Sequence, residues 1–490
     1  MKCRQDPSSF ANTHEIRTES IHLDLAVDFN EKRLSGSATL DLVTDADANL
    51  LILDSSYLDI TKIVRLDENA EIELKSTLVP TYLIAIAAGN IVGKKIGPRS
   101  MCWSEPEIND AAAWEFETTV EKFLNIGEDL LLPYEWGVYD ILVLPPSFPY
   151  GGMENPCLTF VTPSLLAGDR SLTDVVAHEI AHSWAGNLVT SRNWEHFWLN
   201  EGFTMYIERL IIARLTSEEE RQFSGIIGYD ALKRSVEGFK DTPELTLLVP
   251  NLDGVDPDDS FSSVPYEKGF ALLFYLEGLL GSDVMLGYLK VHFQEFSGKS
   301  IDTEDFKKLF YSFISKQSSE LSLSLDGVDW ESWFSGQGMP PVPPTFDQTL
   351  AKACTSLAKR WESLSGSFSE SDVASFSPSQ KMVFLDLMKN LETPLSVSSL
   401  EEMDAKYGFG SYQNMEIKYR WQLLCLKSGY SAIVPNVCEF VTQIGRMKYV
   451  RPLYRELYKI APSRARETFA ANKEFYHSIC QYGVGKDLEL

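Results

Sequence analysis

The sequence predicts a multidomain α+β protein, and three stretches carry that expectation. Near the start, apolar and polar residues alternate with the period of a β-strand. In the middle, His178-Glu179-Ile180-Ala181-His182 places two imidazoles on one face of a helical pattern. In the last third, apolar residues recur at helical spacing with short connections between the repeats. A chain of 490 residues exceeds what one core holds. The boundaries we expect are 1–92 for a β-rich unit, 93–335 for a catalytic unit, 336–344 for a linker and 345–490 for a helical unit.

In the first unit, Ile21, Leu23, Leu25, Val27 and Phe29 alternate with His22, Asp24, Ala26 and Asp28. Asn30 to Gly36 supplies a turn, and Ala38, Leu40 and Leu42 resume the alternation. Leu50 to Leu53 and Ile60 to Leu66 are further candidate strands. The pattern predicts antiparallel pairing with one wet face.

In the second unit, Asn109 to Leu131 reads as helix, with Trp114, Phe116, Val120, Phe123 and Leu124 on one face. Tyr139 to Leu144 reads as a strand ended by two prolines. Tyr150-Gly151-Gly152-Met153-Glu154 follows, and its glycines let backbone approach a ligand closely. Ser171 with Asp174 three residues on marks a helix start, which predicts that His178 and His182 sit mid-helix. Glu179 lies about 100° round from His178, within reach of a metal-bound water. After a connecting segment, Asn200-Glu201 opens a second helical pattern that continues through Met205, Glu208 and Leu210. A carboxylate at Glu201 completes a His2Glu set with a fourth position left for water, which favours one Zn2+ per chain. The plainer alternative is a core helix with two hydrogen-bonded histidines. The enclosed glutamate and the downstream Asn-Glu argue against it, because only 7 residues of the chain are histidine. Ser263 to Gly269, including Tyr266, leads into an apolar helix over Phe270 to Leu280.

Gly336 to Pro344, with its run of prolines, reads as a stiff linker. Beyond it, Leu350, Cys354, Leu357 and Trp361 form one buried stripe, and similar stripes follow over Met382–Leu391, Met415–Lys427, Ala432–Thr442 and Arg451–Leu457. Such a succession predicts a stacked helical layer or solenoid.

Lys and Arg total 44 against 70 Asp and Glu, a net charge of −26. That field repels nucleic acid and anionic lipid, so neither is an expected partner. The longest apolar run, Leu83 to Ala88, is too short to span a bilayer. No signal peptide is evident in the first twenty residues. The 7 cysteines are odd in number and form no CxxC pair, which predicts reduced thiols and a cytoplasmic setting.

The metal motif, its downstream Asn-Glu and the preceding Gly-Gly-Met-Glu-Asn resemble those of the gluzincin zinc aminopeptidases, and within them the leukotriene A4 hydrolase branch. The resemblance runs through Pro145–Leu210, Ser263–Leu280, Gly445–Lys448 and Val484–Leu488, and more loosely through residues 15–66. It implies a β-saddle unit, a thermolysin-like catalytic unit and a HEAT/armadillo-like helical unit, in a cytosolic hydrolase. It implies short peptides with a free amino terminus and a carboxylate as substrates, and a fatty-acid epoxide, leukotriene A4, as a second one. By the same resemblance His178, His182 and Glu201 hold zinc, Glu179 is the general base and Glu154 anchors the α-ammonium group. Tyr266 donates to the developing oxyanion. Tyr150, Gly151, Gly152 and Met153 line the substrate site, and Asp258 directs water in epoxide opening. Arg446 and Lys448, which spacing alone would make a solvated pair, become the clamp for a substrate carboxylate.

Two departures from the family pattern stand out. Phe261 occupies a position where close relatives carry tyrosine. The chain also passes from Leu66 to Tyr82 with almost nothing between, which shortens the β-rich unit and omits a loop that helps hold the substrate's amino group. A truncated β-saddle exposing apolar faces is therefore expected. A catalytically impaired form acting as a binding or regulatory protein stays open as the alternative.

Overall fold

A computed structural model describes residues 6–44, 48, 50–55, 58–64 and 79–490. The first strands, β1 (Ile16–Asp28) and β2 (Arg33–Thr44), pair antiparallel as a long hairpin. Alternation predicted both strands, but not their surroundings. Leu23, Leu25, Val27, Leu34 and Leu42 are exposed, so among the described residues neither face of the ribbon is covered. The expectation of one wet face and one packed face fails there, while the exposed apolar residues are those expected of a shortened β-rich unit. Leu50–Leu53 is no strand either. The Asn12 side chain accepts from Ile52 N and donates to Leu50 O, both at 2.8 Å, so one amide takes the place of a strand partner. Ile60–Val64 has no regular structure, and Arg65 and Leu66 lie outside the described residues.

From Val92 onward the chain is densely packed. β3 (Val92–Lys95), β4 (Met101–Ser104), β5 (Asp140–Val143), β6 (Gly152–Met153) and β7 (Leu158–Val161) form one sheet in the order β3-β4-β5-β7-β6. The β4-β5 and β5-β7 pairs are parallel and the outer pairs antiparallel. The short strand β6 is therefore an edge. The expected single helix over Asn109–Leu131 is two, α1 (Asn109–Phe116) and α2 (Val120–Leu130). Trp114 is not on the core face; it is 45% exposed with the Arg170 guanidinium 4.2 Å from its ring. An arginine covers the indole there in place of the core.

On strand β6 lies α3 (Asp174–Ala181), and on α3 lies α4 (Trp198–Leu215), which in turn carries α5 (Glu218–Gly238) and α6 (Gly269–Leu280); α7 (Ser282–Glu295) packs on α6 and α8 (Thr303–Ile314) on α7, with the small parallel pair β8 (Val189–Ser191) and β9 (Lys299–Ile301) beside α4. One apolar cluster from Ile96 to Phe346 joins sheet and helices, with Trp184, Trp198 and Phe203 at its centre. A second runs from Ala351 to Leu488 and includes Phe223 of α5. In it the helices Thr349–Glu362, Pro378–Lys389, Met415–Lys427, Met447–Ile460 and Ser478–Asp487 pack in a row, each against the next named. Cys354, Leu357 and Trp361 are buried as the stripe required. Among the described residues no helix is long and apolar enough to cross a membrane, and the six described cysteines are free.

Candidate functional site

Helices α3 and α4 bring the metal motif together. His178 Nε2 and His182 Nε2 lie 3.2 Å apart, and each is 3.4 Å from Glu201 Oε2. A tetrahedral centre with bonds of about 2.05 Å sets its ligands about 3.3 Å apart, so the triangle has the size that a zinc ion requires. Glu201 Oε2 is buried and has no hydrogen-bond partner among the described residues, an acceptor that such an ion would satisfy. The outer ring nitrogens are tied away from the triangle. His178 Nδ1 is 2.9 Å from Glu208 Oε2, and His182 Nδ1 is 2.8 Å from the Ala185 carbonyl.

The histidine pair is not mid-helix. α3 ends at Ala181 and His182 caps it, still donating its backbone N–H to His178 O at 3.1 Å. The i, i+4 geometry survives while the next residues turn away to present the Ala185 carbonyl to His182. Gly186, at φ +119°, makes that turn; a Cβ there would stand 3.0 Å from His182 Nδ1.

The electrostatics call for a cation. Burial alone would lower the pKa of both imidazoles. Glu201 and Glu208 nonetheless push His178 well up, and Glu154 and Glu201 push His182 to about 9. Burial opposes the Glu201 charge, yet His182 and His178 hold its carboxyl down to about 2. A divalent ion would supply the positive charge that these protons otherwise bring. Glu154, Glu179 and His182 form a second cluster, with ligand atoms within 4.8 Å of one another. Burial pushes the Glu179 carboxyl up to about 8, with His178 and His182 pulling against it.

Strand β6 closes one wall. A Cβ on Gly152 would fall 2.1 Å from Glu179 Oε1, so only glycine lets the strand lie on that carboxylate. A Cβ on Gly151 would fall 2.8 Å from Arg446 Nη2, which places Arg446 against the same strand. Met153 is half-buried, and Glu154 is buried. Opposite them the Tyr266 ring stacks 6.0 Å from that of His178. Burial, with Glu201 and Glu154 beside it, keeps the Tyr266 phenol protonated far above its ordinary range. The Tyr150 ring lies 6.2 Å from Phe261, and Phe261 lies 6.0 Å from Tyr266. Asp258 is on the 3-10 turn Pro257–Ser260, and partial burial with Asp256 and Asp259 raises its pKa. Its charge in turn reaches Tyr150.

Arg446 and Lys448 are not a solvated surface pair. Arg446 is buried, and Glu416 Oε1 accepts from Lys448 Nζ at 2.5 Å and from Arg446 Nη1 at 3.4 Å. Solvent still reaches 49% of the Lys448 side chain. Gly151 thus lies on Arg446 and Gly152 on Glu179, while Tyr266 stands beside His178 and Phe261 beside Tyr150.

Five others were not singled out. Glu208 could have been, because it lies seven residues after Glu201 and so on the same helical face. Asp174, one turn before His178, is raised to about 6 by burial and by Glu208, against the pull of Lys448. Glu416 is isolated in sequence from the cations that it pairs. Tyr82 accepts from Asn200 Nδ2 at 3.1 Å and meets Trp194 edge-on at 5.1 Å. Asn200 Oδ1 in turn accepts from Ser191 N at 2.8 Å. No local pattern announces Glu416 or Tyr82, and the Asn200-Glu201 pattern pointed to the glutamate alone.

Comparison with known proteins gives the same architecture. Residues 114–333 match the family described as the peptidase family M1 domain, and 376–488 match the leukotriene A4 hydrolase C-terminal family. The chain is 50% identical over 419 residues to leukotriene A-4 hydrolase of Xenopus laevis, covering 84% of this chain and 68% of that protein. It is 46% identical over 413 residues to leucine aminopeptidase 2 of Emericella nidulans, covering 84% and 66%. It thus spans about two thirds of the length of these curated relatives. The structure of yeast LTA4 hydrolase in complex with bestatin superposes with a TM-score of 0.92 at 32% identity, covering 100% of this chain and 98% of that one. The chain belongs to peptidase family M1, the zinc aminopeptidases, in the branch that holds leukotriene A4 hydrolase and leucine aminopeptidase 2.

Proposed function

We propose that this protein removes residues from the free amino end of short peptides. The observation that carries the reading is the buried Glu154 carboxylate beside Glu179 and His182. A carboxylate there pairs with an α-ammonium group and so fixes which peptide bond reaches the metal. His178, His182 and Glu201 would hold zinc, which supplies a water of pKa near 7 and polarises the scissile carbonyl. Glu179 takes a proton from the attacking water and passes it to the leaving amine. The Tyr266 phenol donates to the carbonyl oxygen as charge develops there. The free edge of β6, Gly151 to Met153, offers backbone groups to an extended peptide. Tyr150 lines the pocket for the first side chain. Arg446 and Lys448, carried by the 345–490 unit, take the peptide's terminal carboxylate and restrict the substrate to short lengths.

A second reaction, epoxide hydrolysis of leukotriene A4 to leukotriene B4, is part of the proposal. It is supported by Asp258 close to Tyr150, by the apolar faces of Phe261 and Phe148 near it, and by a basic pair suited to a fatty-acid carboxylate. An impaired binding protein is not favoured, because the His178, His182 and Glu201 triangle and the neighbouring Glu154 and Glu179 carboxylates are all in place. Free six-cysteine chemistry among the described residues accords with action in the cytoplasm.

The test is hydrolysis of an aminoacyl fluorogenic amide by the purified chain. Turnover should vanish with chelator and with Glu179→Gln, and N-acetylated substrates should not be cut. Equal cleavage of free and acetylated peptides would overturn the exopeptidase assignment. Chromatography of products from leukotriene A4 tests the second reaction.

A further inference from the structure

Tyr266 sits in a π-helical turn, Val264–Lys268, immediately before α6. Such turns put one extra residue into a helical path and recur at functional sites, but they hold their shape only where something fastens them. Two contacts fasten this one to α4, the helix that carries Glu201. The first is backbone on backbone. A Cβ on Gly202 would stand 2.8 Å from Gly269 Cα and 3.3 Å from the Pro265 carbonyl, so the residue after Glu201 lies directly on the turn. The second is ionic. Arg209 Nη1 donates to Glu267 Oε2 at 2.8 Å and Nη2 to Oε1 at 3.0 Å, a two-pronged pair beside Tyr266. Arg209 also donates to Ser224 O and Ser224 Oγ of α5, both at 3.1 Å, and its guanidinium lies 4.0 Å from the Phe270 ring. Both partners are buried, Arg209 to 1% side-chain exposure and Glu267 to 9%. Gly228 of α5 leaves room for them; a Cβ there would lie 2.2 Å from Glu267 Oε2.

A buried ion pair is a poor way to gain stability and a good way to fix one arrangement over others. The fork cannot slide without losing a hydrogen bond, and both partners are shielded from bulk solvent. Resting on the reading that Tyr266 donates to the substrate carbonyl, we infer that Arg209 and Glu267 are positioning residues that hold the Tyr266 hydroxyl in register with the metal-binding triangle. Neither reaches the cleft. They act through the turn, and α4 is the common frame for Glu201 and Tyr266. Lys268 completes the fastening on the far side, donating to the carbonyls of Thr246, Gly336 and Gly338 at 3.0, 2.7 and 3.0 Å.

The experiment is a double-mutant cycle on the full chain with metal content matched. Tyr266→Phe should lower kcat by about 10²-fold with little change in KM, as expected for a lost oxyanion donor. Glu267→Gln should lower kcat by about tenfold or more with KM within about twofold, because a misplaced group loses rate before binding. In the Tyr266→Phe background Glu267→Gln should cost nothing further in kcat. Arg209→Lys keeps the charge without the fork and should show the same pattern, less severely; it also serves if Glu267→Gln fails to fold. Losses that multiply in the double variant would overturn the inference, as would failure of both single variants to fold, which assigns the pair to stability alone. An unchanged kcat in Tyr266→Phe would overturn the reading of Tyr266 itself, and the inference with it.

Discussion

Glu208 Oε2 stands 2.9 Å from His178 Nδ1, on the opposite side of the ring from Glu201. Seven residues make 700° on a helix, 20° short of two full turns, so Glu201 and Glu208 share one face of α4. One helix thereby grips His178 at both nitrogens and fixes which of them is free for a metal. Glu208→Gln should weaken metal affinity by about 10- to 100-fold. Competition with a chromophoric chelator measures this, and activity at saturating metal should largely return. Unchanged affinity would show that the ring is held by packing alone.

Gly152→Ala tests how closely β6 lies on Glu179. The added methyl meets Glu179 Oε1 at 2.1 Å, too close for either group to stay in place. The strand or the carboxylate must move by about an ångström, and such a displacement costs on the order of 10²-fold in rate. Metal content should stay at the wild-type level, since neither histidine is touched. Full activity in this variant would mean that Glu179 is free to swing clear.

Tyr82 offers a test of the contact between the amino-terminal segment and the metal helices. Asn200 is buried, and its Nδ2 donates to the Tyr82 hydroxyl. Tyr82→Phe keeps the ring against Trp194 but leaves that amide unpaired, at a cost of about 1–3 kcal/mol. The thermal midpoint should fall by a few degrees, with a smaller change for Trp194-facing substitutions that leave the hydroxyl in place. No shift would place water at Asn200 instead.

The residues that the sequence revealed are those whose chemistry is local. His178 and His182 are four apart, and Glu201 opens the next helical pattern, so spacing alone put three ligands on neighbouring faces. The helical stripes at Cys354, Leu357 and Trp361 were readable for the same reason. The contacts that the sequence hid most completely are long-range. Glu416 meets Lys448 and Arg446 across about thirty residues of sequence, and Tyr82 meets Asn200 across more than a hundred. Alternation in β1 and β2 predicted strands correctly, since period two is a property of the strand itself. It could not say what covers a face, because that depends on a partner elsewhere in the chain. Trp114 failed too: the helix breaks after Phe116, its ring is off the buried stripe, and a distant arginine, Arg170, covers it instead of the core.

Glu416 carries the clearest pH dependence. Burial alone would raise its carboxyl, but Lys448, Arg420 and Arg446 around it hold it well below the ordinary carboxylate range. Lys448 and Tyr449 donate to Oε1, and Arg420 donates to Oε2. In the unfolded chain the same group titrates near 4.3. Below that value the unfolded state takes up a proton that the folded state refuses, so stability falls as pH falls. The contribution of Glu416 is therefore complete above about pH 5 and is lost as the pH drops through the range below 4. Glu416→Gln removes the charge from three buried or enclosed cations and should destabilise the helical region by about 3 kcal/mol near neutral pH. Denaturant midpoints of the two proteins, measured from pH 7 down to pH 3, should draw closer below about pH 4 as acidity protonates the carboxylate in the unfolded chain. A gap of constant size across that range would show that Glu416 contributes through shape and not through charge.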